Sequence, residues 1–370
     1  MKRILFSALF TLLISSTFAQ KLALVKLNGK HLYINQEGSI VLEPSYLVTK
    51  NFSDGLAAFQ EGKLWGFMDK KGQVVIPAQF DNIKYFNSGI CVVLKAKRWF
   101  YINKTGKEIL QNVQTQKVYD FENGTAFIRV NNLVGLINTK GETVIEPQYD
   151  LIHSFVNGFA RAKKNGKWGI IDNKGKTIVD FVYDDLGDYY RNVCWAKLGT
   201  ALGLVINNQF KQIEGVEKMW DFEFSELAYA RKAGKMGYIN TKGEWIIEPK
   251  FEKVRAFVGD MAPAYENKLW GYINKKGEWV IAPKYHDAEI FSEDGLAPAK
   301  LGLWGFINPK GDMIVPTVYG ISTAFFMMKD EQKGFIDGVA RVKREGKWGF
   351  IDKKGKVLGQ WFDNAEPFCE

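Results

Sequence analysis

The side chains able to do chemistry are plentiful in this chain but poorly spaced for it. Carboxylates suited to general acid–base work occur as neighbours, Asp184-Asp185 and Glu293-Asp294. Adjacent strand positions face opposite ways, so neither pair can flank one bond. Hydrolysis would need carboxylates from separate segments to converge, and the spacing predicts no such convergence. Three histidines (His31, His153, His286) and three cysteines (Cys91, Cys194, Cys369) match no metal-ligand or redox pattern. There is no nucleophile elbow and no phosphate-binding glycine loop. The expectation is a protein that is not an enzyme and uses no cofactor or metal.

What does recur at fixed spacing is glycine, aromatic residues and lysine. A marker glycine stands at Gly66, Gly135, Gly169, Gly203, Gly237, Gly271, Gly305 and Gly349, with Leu32 and Phe100 in the same slot of two weaker copies. The period is 34 residues, with one step of 35 and a last step of 44. Ten copies of one small unit make a tandem array. Counting from the marker, Phe recurs at −14 (Phe52, Phe86, Phe121, Phe155, Phe257, Phe291, Phe335) and Trp at −1 (Trp65, Trp99, Trp168, Trp270, Trp304, Trp348). Alternation such as Ala160-Arg161-Ala162-Lys163 predicts a half-buried strand. The marker glycine weakens the next strand, so its recurrence asks for a steric reason, the close approach of a neighbouring backbone or ring. Asp or Asn at +3 and Gly at +6 predict a type I turn with a G1 bulge. A third strand follows, ended by Pro77, Pro147, Pro249, Pro283 or Pro316. Each repeat therefore reads as a three-stranded antiparallel meander, with the Phe and Trp rows packed between neighbours as core.

Segments such as Gly-Lys-Trp-Gly-Ile-Ile-Asp at 166–172, Gly-Lys-Trp-Gly-Phe-Ile-Asp at 346–352, Leu-Trp-Gly-Phe-Ile-Asn at 303–308 and Lys-Gly-Glu-Trp-Val-Ile-Ala-Pro at 276–283 carry a resemblance. Over nearly all of residues 22–360 the chain resembles the WG repeat family. The resemblance implies an exported or envelope-associated bacterial protein and assigns no functional residue. Copy 1, around Leu32, and the region after Leu358 read as worn end caps, and copy 6 has Gln209 where the turn glycine belongs. The fold expected is all-β, an open curved or superhelical array of ten three-stranded meanders over residues 20–370. A closed propeller-like ring is the alternative. Ten blades exceed the roughly four to eight of most propellers, which favours the open array.

Residues 1–19 read as a signal peptide: Lys2-Arg3, an apolar run of 11 from Ile4 to Ile14, and Thr17-Phe18-Ala19 before Gln20. The expectation is export, to periplasm or medium, with no transmembrane segment after the leader. Without Lys2 and Arg3 the formal charge falls from +9 to +7, too diffuse to imply nucleic acid. The expected role is an interaction or scaffold surface for a protein or cell-envelope component. The alternative is a glycan- or acidic-polymer-binding module.

Function in repeat proteins sits in the irregularities, and three stand out. An insert at about 320–333 carries Phe325-Phe326-Met327-Met328, either a partner-binding lip or a cover for the last repeat. Copy 6 and its link, Cys194-Trp195 to Trp220-Asp221-Phe222, is drifted sequence, a hinge or a pocket. Lys71, Lys140, Lys174, Lys242, Lys276, Lys310 and Lys354 share position +5, so a regular array points them from one edge. That row suits an acidic polymer or simply an exposed turn.

Overall fold

The computed structural model describes residues 21–320 and 334–369. The expected leader and the Phe325-Phe326-Met327-Met328 segment lie outside the described residues. The described chain is all strands and turns, forming ten four-stranded antiparallel sheets.

One sheet shows how the repeat folds. Its strands, lettered a to d, are Leu151–Ile152, Phe159–Lys164, Lys167–Asp172 and Thr177–Tyr183. The expected meander of three strands is thus a sheet of four. Strand a has two residues, too short to show alternation, and follows the aromatic that ends strand d of the preceding sheet after one residue. Strand b pairs with c in register, placing Ala162 opposite Gly169. The register of c with d shifts on either side of Ile170.

That bulge supplies the steric reason for the marker glycine. A Cβ at Gly135 would lie 2.4 Å from Ile145 O and 2.7 Å from Pro147 N, and one at Gly169 would lie 2.9 Å from the Phe181 ring. The proline does not end strand d, as the sequence reading expected. Strand Thr143–Tyr149 continues through Pro147. It is the free edge of its sheet, where a missing N–H costs no ladder bond.

The +3 to +6 turn forms as expected. Gly38 N donates to Asn35 O at 2.9 Å and Ser39 N to Asn35 Oδ1 at 2.8 Å, with Gly38 at φ +82°. Copy 6 solves the same turn differently. Asn207 and Asn208 both adopt positive φ and Ile206 pairs directly with Gln209, a two-residue hairpin that needs no glycine bulge.

The ten sheets form a closed ring, not the open array. The first sheet takes its strands b, c and d from Ala23–Leu27, Lys30–Ile34 and Ile40–Leu42, and its strand a from Asn364–Ala365 at the other end of the chain. Val25 pairs with Ala365 and Lys26 with Asn364, and Leu22 and Cys369 exchange two backbone hydrogen bonds of 2.9 Å. The regions read as worn caps are therefore the two halves of a seam. The blade-count argument fails because the same interface repeats across the seam. The turn glycines pack on the preceding blade, most of them on its strand d, as Gly175 does on Ile145 and Gly311 on Ile281; Gly38 packs likewise on Leu358 and Gly359.

Aromatic pairs bind blade to blade. The ring at +1 meets the −14 ring of the next copy in Tyr33–Phe52, Phe67–Phe86, Tyr101–Phe121, Tyr238–Phe257, Tyr272–Phe291 and Phe306–Phe335, with centroids 4.7–5.4 Å apart. Phe350–Phe368, at 4.7 Å, makes the same contact across the seam. The −14 row is core, as expected, except for half-buried Phe155. The −1 row is not. Only Trp270 is buried and Trp99 is 38% exposed, while the other four are half-buried. A cation lies over the ring of Trp65, Trp168, Trp270, Trp304 and Trp348, such as Arg255 5.0 Å from Trp270. Their position at the end of strand c, beside the b–c turn, leaves one face open to a long cationic side chain.

The seam makes the tail structural. Truncation after Asp363 is expected to lower the denaturation midpoint and raise the radius of gyration in small-angle scattering. An unchanged radius would show that the ring closes without strand a.

Candidate functional site

Numbering the blades from the N-terminal one, the a–b links of blades 5 to 9 converge on one cavity of about 620 Å³. Five successive blades can share a cavity only where they crowd together, so strands a and b face the ring axis and strand d the periphery. The walls come from His153, Asp188 to Tyr190, Asp221 to Phe224, Arg255 and Glu289, with Arg161 and Tyr229 from strand b of blades 5 and 7.

Polar side chains here are tied from blade to blade. Arg161 Nη1 donates to Leu186 O at 3.1 Å, and its Nε lies 2.8 Å from Asp188 Oδ1, close enough for an ion pair but off line for a hydrogen bond. Asp221 Oδ1 accepts Trp195 Nε1–H at 2.8 Å and Asp188 N–H at 2.9 Å. Arg255 donates to Ala288 O at 2.8 Å and Asp287 Oδ1 at 3.0 Å, and pairs with Glu289 Oε2 at 3.2 Å. Carboxylates from different repeats thus do converge, contrary to the spacing argument. The charges of Asp188 and Glu289 are held by guanidinium groups, and Asp221 is fixed by two donors. Burial first, and then the Asp188 charge, pushes the Asp221 carboxyl above the usual aspartate range.

Aromatic side chains supply the apolar wall. Tyr190 and Phe222 stack with centroids 6.2 Å apart and planes 15° apart, and Phe224 is 46% exposed. Tyr229 is half-buried, stacked on Trp220 at 4.9 Å.

The lysine row shares this face. The c–d turns lie beside the a–b links, as Asn173 N donating to Gly158 O at 3.1 Å shows. All seven lysines are exposed, each donating its backbone N–H at 2.9 Å to the Asp or Asn at +3. The ring arranges them as a circle around the axis. Each also shares its turn with one carboxylate. Where +3 is Asp (Asp69, Asp172, Asp352), that is the acid; where +3 is Asn, the acid is at +7 (Glu142, Glu244, Glu278, Asp312) and accepts from the Asn Nδ2. Four of these turns also carry further lysines (Lys70, Lys176, Lys275, and Lys353 with Lys356), so the row is a cationic circle with acids interleaved in it.

Of the three irregularities, the copy 6 link is the one brought into the cavity, through Asp221 and Phe222. Sequence reasoning missed Arg161, Asp188, Tyr190, Arg255 and Glu289. The available signal was periodic: residues about one repeat apart, such as Asp188 and Asp221, become neighbours in a ring. The cysteines are unpaired, and burial raises the Cys91 thiol to about 12 and the Cys369 thiol to about 11. No group of His, Cys, Asp and Glu among the described residues is placed to hold a metal ion. No helix among them is long and apolar enough to cross a membrane.

The fold and cavity define a closed, propeller-like β-repeat ring with an axial pocket. The family model for the WG containing repeat matches residues 33–65, 65–99, 99–133, 135–168, 168–199, 236–270, 270–302 and 304–320, and the chain belongs to that family. No curated protein matches the sequence. Among solved structures, a eukaryotic initiation factor is similar at 11% identity and a TM-score of 0.49, covering 94% of this chain and 98% of its own. AztD from Citrobacter koseri is similar at 10% identity and a TM-score of 0.36, covering 93% and 96%. Hsv2p from Kluyveromyces lactis is similar at 7% identity and 0.30, covering 64% and 96%.

Asp221 gives the site a pH signature. A carboxyl whose folded pKa is raised favours the fold below its unfolded pKa of about 3.9, and loses that contribution as pH rises through the folded value. Asp221→Asn keeps an acceptor for Trp195 and Asp188 while removing the charge. Urea denaturation is expected to show the variant matching the wild type below about pH 4 and exceeding it at pH 7. A variant less stable at pH 7 would mean the carboxylate is stabilised where it stands.

Proposed function

We propose that this protein is an exported, non-enzymatic binding module, and that it takes a glycan of the cell envelope in the axial cavity of blades 5 to 9. The observation that carries the reading is the composition of that cavity. Tyr190, Phe222, Phe224 and Tyr229 line it together with Asp188, Asp221, Arg255 and Glu289. A sugar ring is apolar across its C–H faces and polar around its hydroxyl edge, so it matches aromatic walls set beside fixed carboxylates and guanidinium groups. The lysine circle supports an acidic polymer less well, because its charges are exposed, interleaved with acids and screened by salt.

The absence of catalysis is part of the proposal. Asp188 and Glu289 are held in position by guanidinium groups, which suits hydrogen bonding to hydroxyls more than proton transfer.

A panel of neutral and acidic glycans titrated calorimetrically tests the reading. Binding of at least one glycan is expected, with Tyr190→Ala and Phe224→Ala each weakening it about tenfold, equivalent to about 1.4 kcal/mol. Binding unchanged in both variants would place the ligand elsewhere. Cleavage of a bound glycan would make the protein an enzyme.

A further inference from the structure

A second cavity, of about 220 Å³, lies at the seam where the ends of the chain meet. Its walls come from strands b and c of blade 1 (Leu24 to Lys26, His31), from Thr49 to Asn51 and Tyr85 of the next two blades, and from Asn364 and Glu366 of the tail. Both termini and three blades therefore build it. Asn51 fastens the junction, accepting Leu24 N–H at 3.0 Å and donating to Pro367 O at 3.3 Å.

Its polar groups are mostly donors. The Lys50 ammonium lies 4.9 Å from the Trp65 ring and 5.6 Å from the Tyr85 ring, and no carboxylate pairs with it among the described residues. Burial, and then the Lys84 charge, holds that ammonium below the usual lysine range. Lys26 is exposed at the rim. Thr49 is 4% exposed and its Oγ1 is out of hydrogen-bond geometry with the adjacent Tyr33 hydroxyl, which donates to Lys50 O at 2.7 Å. Against these stands one carboxylate, Glu366, which accepts from Asn364 Nδ2 at 3.4 Å. A half-buried cation without an anion, a second cation and an unsatisfied hydroxyl in one small polar cavity lack one component, a compact group of negative oxygens.

We propose that the seam cavity is an oxyanion site, taking a phosphate or carboxylate group against Lys50, Lys26 and Thr49. It does not depend on the glycan reading of the axial cavity. The bound anion touches both ends of the chain, so it binds the closed ring and not a ring opened at the seam. Occupancy therefore stabilises closure through mass action.

The test is thermal denaturation of the full chain in inorganic phosphate, against chloride at equal ionic strength. The Tm is expected to rise with phosphate concentration, the rise being lost in Lys50→Met and reduced in Lys26→Gln. No rise over chloride, or an equal rise in both variants, overturns the proposal. If Lys50→Met does not fold, the exposed Lys26→Gln decides alone: an undiminished rise there overturns it. Glucuronate and glucose 1-phosphate then distinguish the source. Tighter binding of either than of inorganic phosphate assigns the site to an acid carried on a sugar, and weaker binding to the free ion.

Discussion

Closure of the ring depends on the seam, where the short pairing of Asn364–Ala365 with Lys26 and Val25 is extended by the Leu22–Cys369 hydrogen bonds. Without it the first blade has no strand a and the axial edge of Ala23–Leu27 has no partner. A closed ring also imposes a condition that no single blade contains, namely that ten interfaces add up to one full turn. The structure meets it by repetition. A turn glycine on the preceding strand d, and an aromatic at +1 on the −14 ring of the next copy, recur from blade to blade and again at the seam. An error in one interface would propagate around the ring, and this explains why these contacts vary so little. A Cβ on Gly106 would already lie 2.9 Å from Ile76 Cγ2.

The same constraint decides where variation is free. Positions at the blade interface stay within a narrow set: Gly at nine of the ten turns, an aliphatic residue such as Leu42, Ile76, Ile145 or Val315 beneath it, and mostly Phe or Tyr in the ring pairs. Positions facing the axis do not: the −8 slot holds Arg161, Trp195, Tyr229 and Pro263 in four successive copies, and the −16 slot holds His153, Gly187, Asp221, Arg255 and Glu289 in five. The repeated interface contacts fix the blade geometry, so axial residues can vary from copy to copy and form a site. Chemistry accumulates at the axis because five blades bring their variable positions within reach of one ligand.

Much of this was legible in the chain. The period, the +3/+6 turn and the −14 core row follow from local rules of turn chemistry and burial, which act within a few residues. The fourth strand was not legible, because two residues carry no alternation. Closure was not legible either, since Asn364-Ala365 has no sequence feature marking it as a partner of Lys26. The tryptophan row misled for a different reason. Recurrence implies a shared environment but does not distinguish a buried ring from one covered by lysine or arginine, as Trp168 is by Lys163 at 5.6 Å. The cavity was invisible because its members are neighbours across a repeat, at separations near 33, where local rules are silent.

Charge placement distinguishes the axis from the rim as the proposed place for a ligand. On the rim the lysines and the acids interleaved with them are exposed, an arrangement contributing about 0–1 kcal/mol per pair to stability and a field that salt screens. At the axis the pairs run between blades: Arg161 reaches Asp188 and Arg255 reaches Asp287 and Glu289. These pairs are partly removed from water, so their attraction is less screened, and each holds two blades at a fixed angle. A ligand entering there meets polar groups already oriented by the ring, and little ordering remains to oppose binding. The pairs that brace the inner edge of the ring are therefore the same groups that give its cavity a defined polar surface.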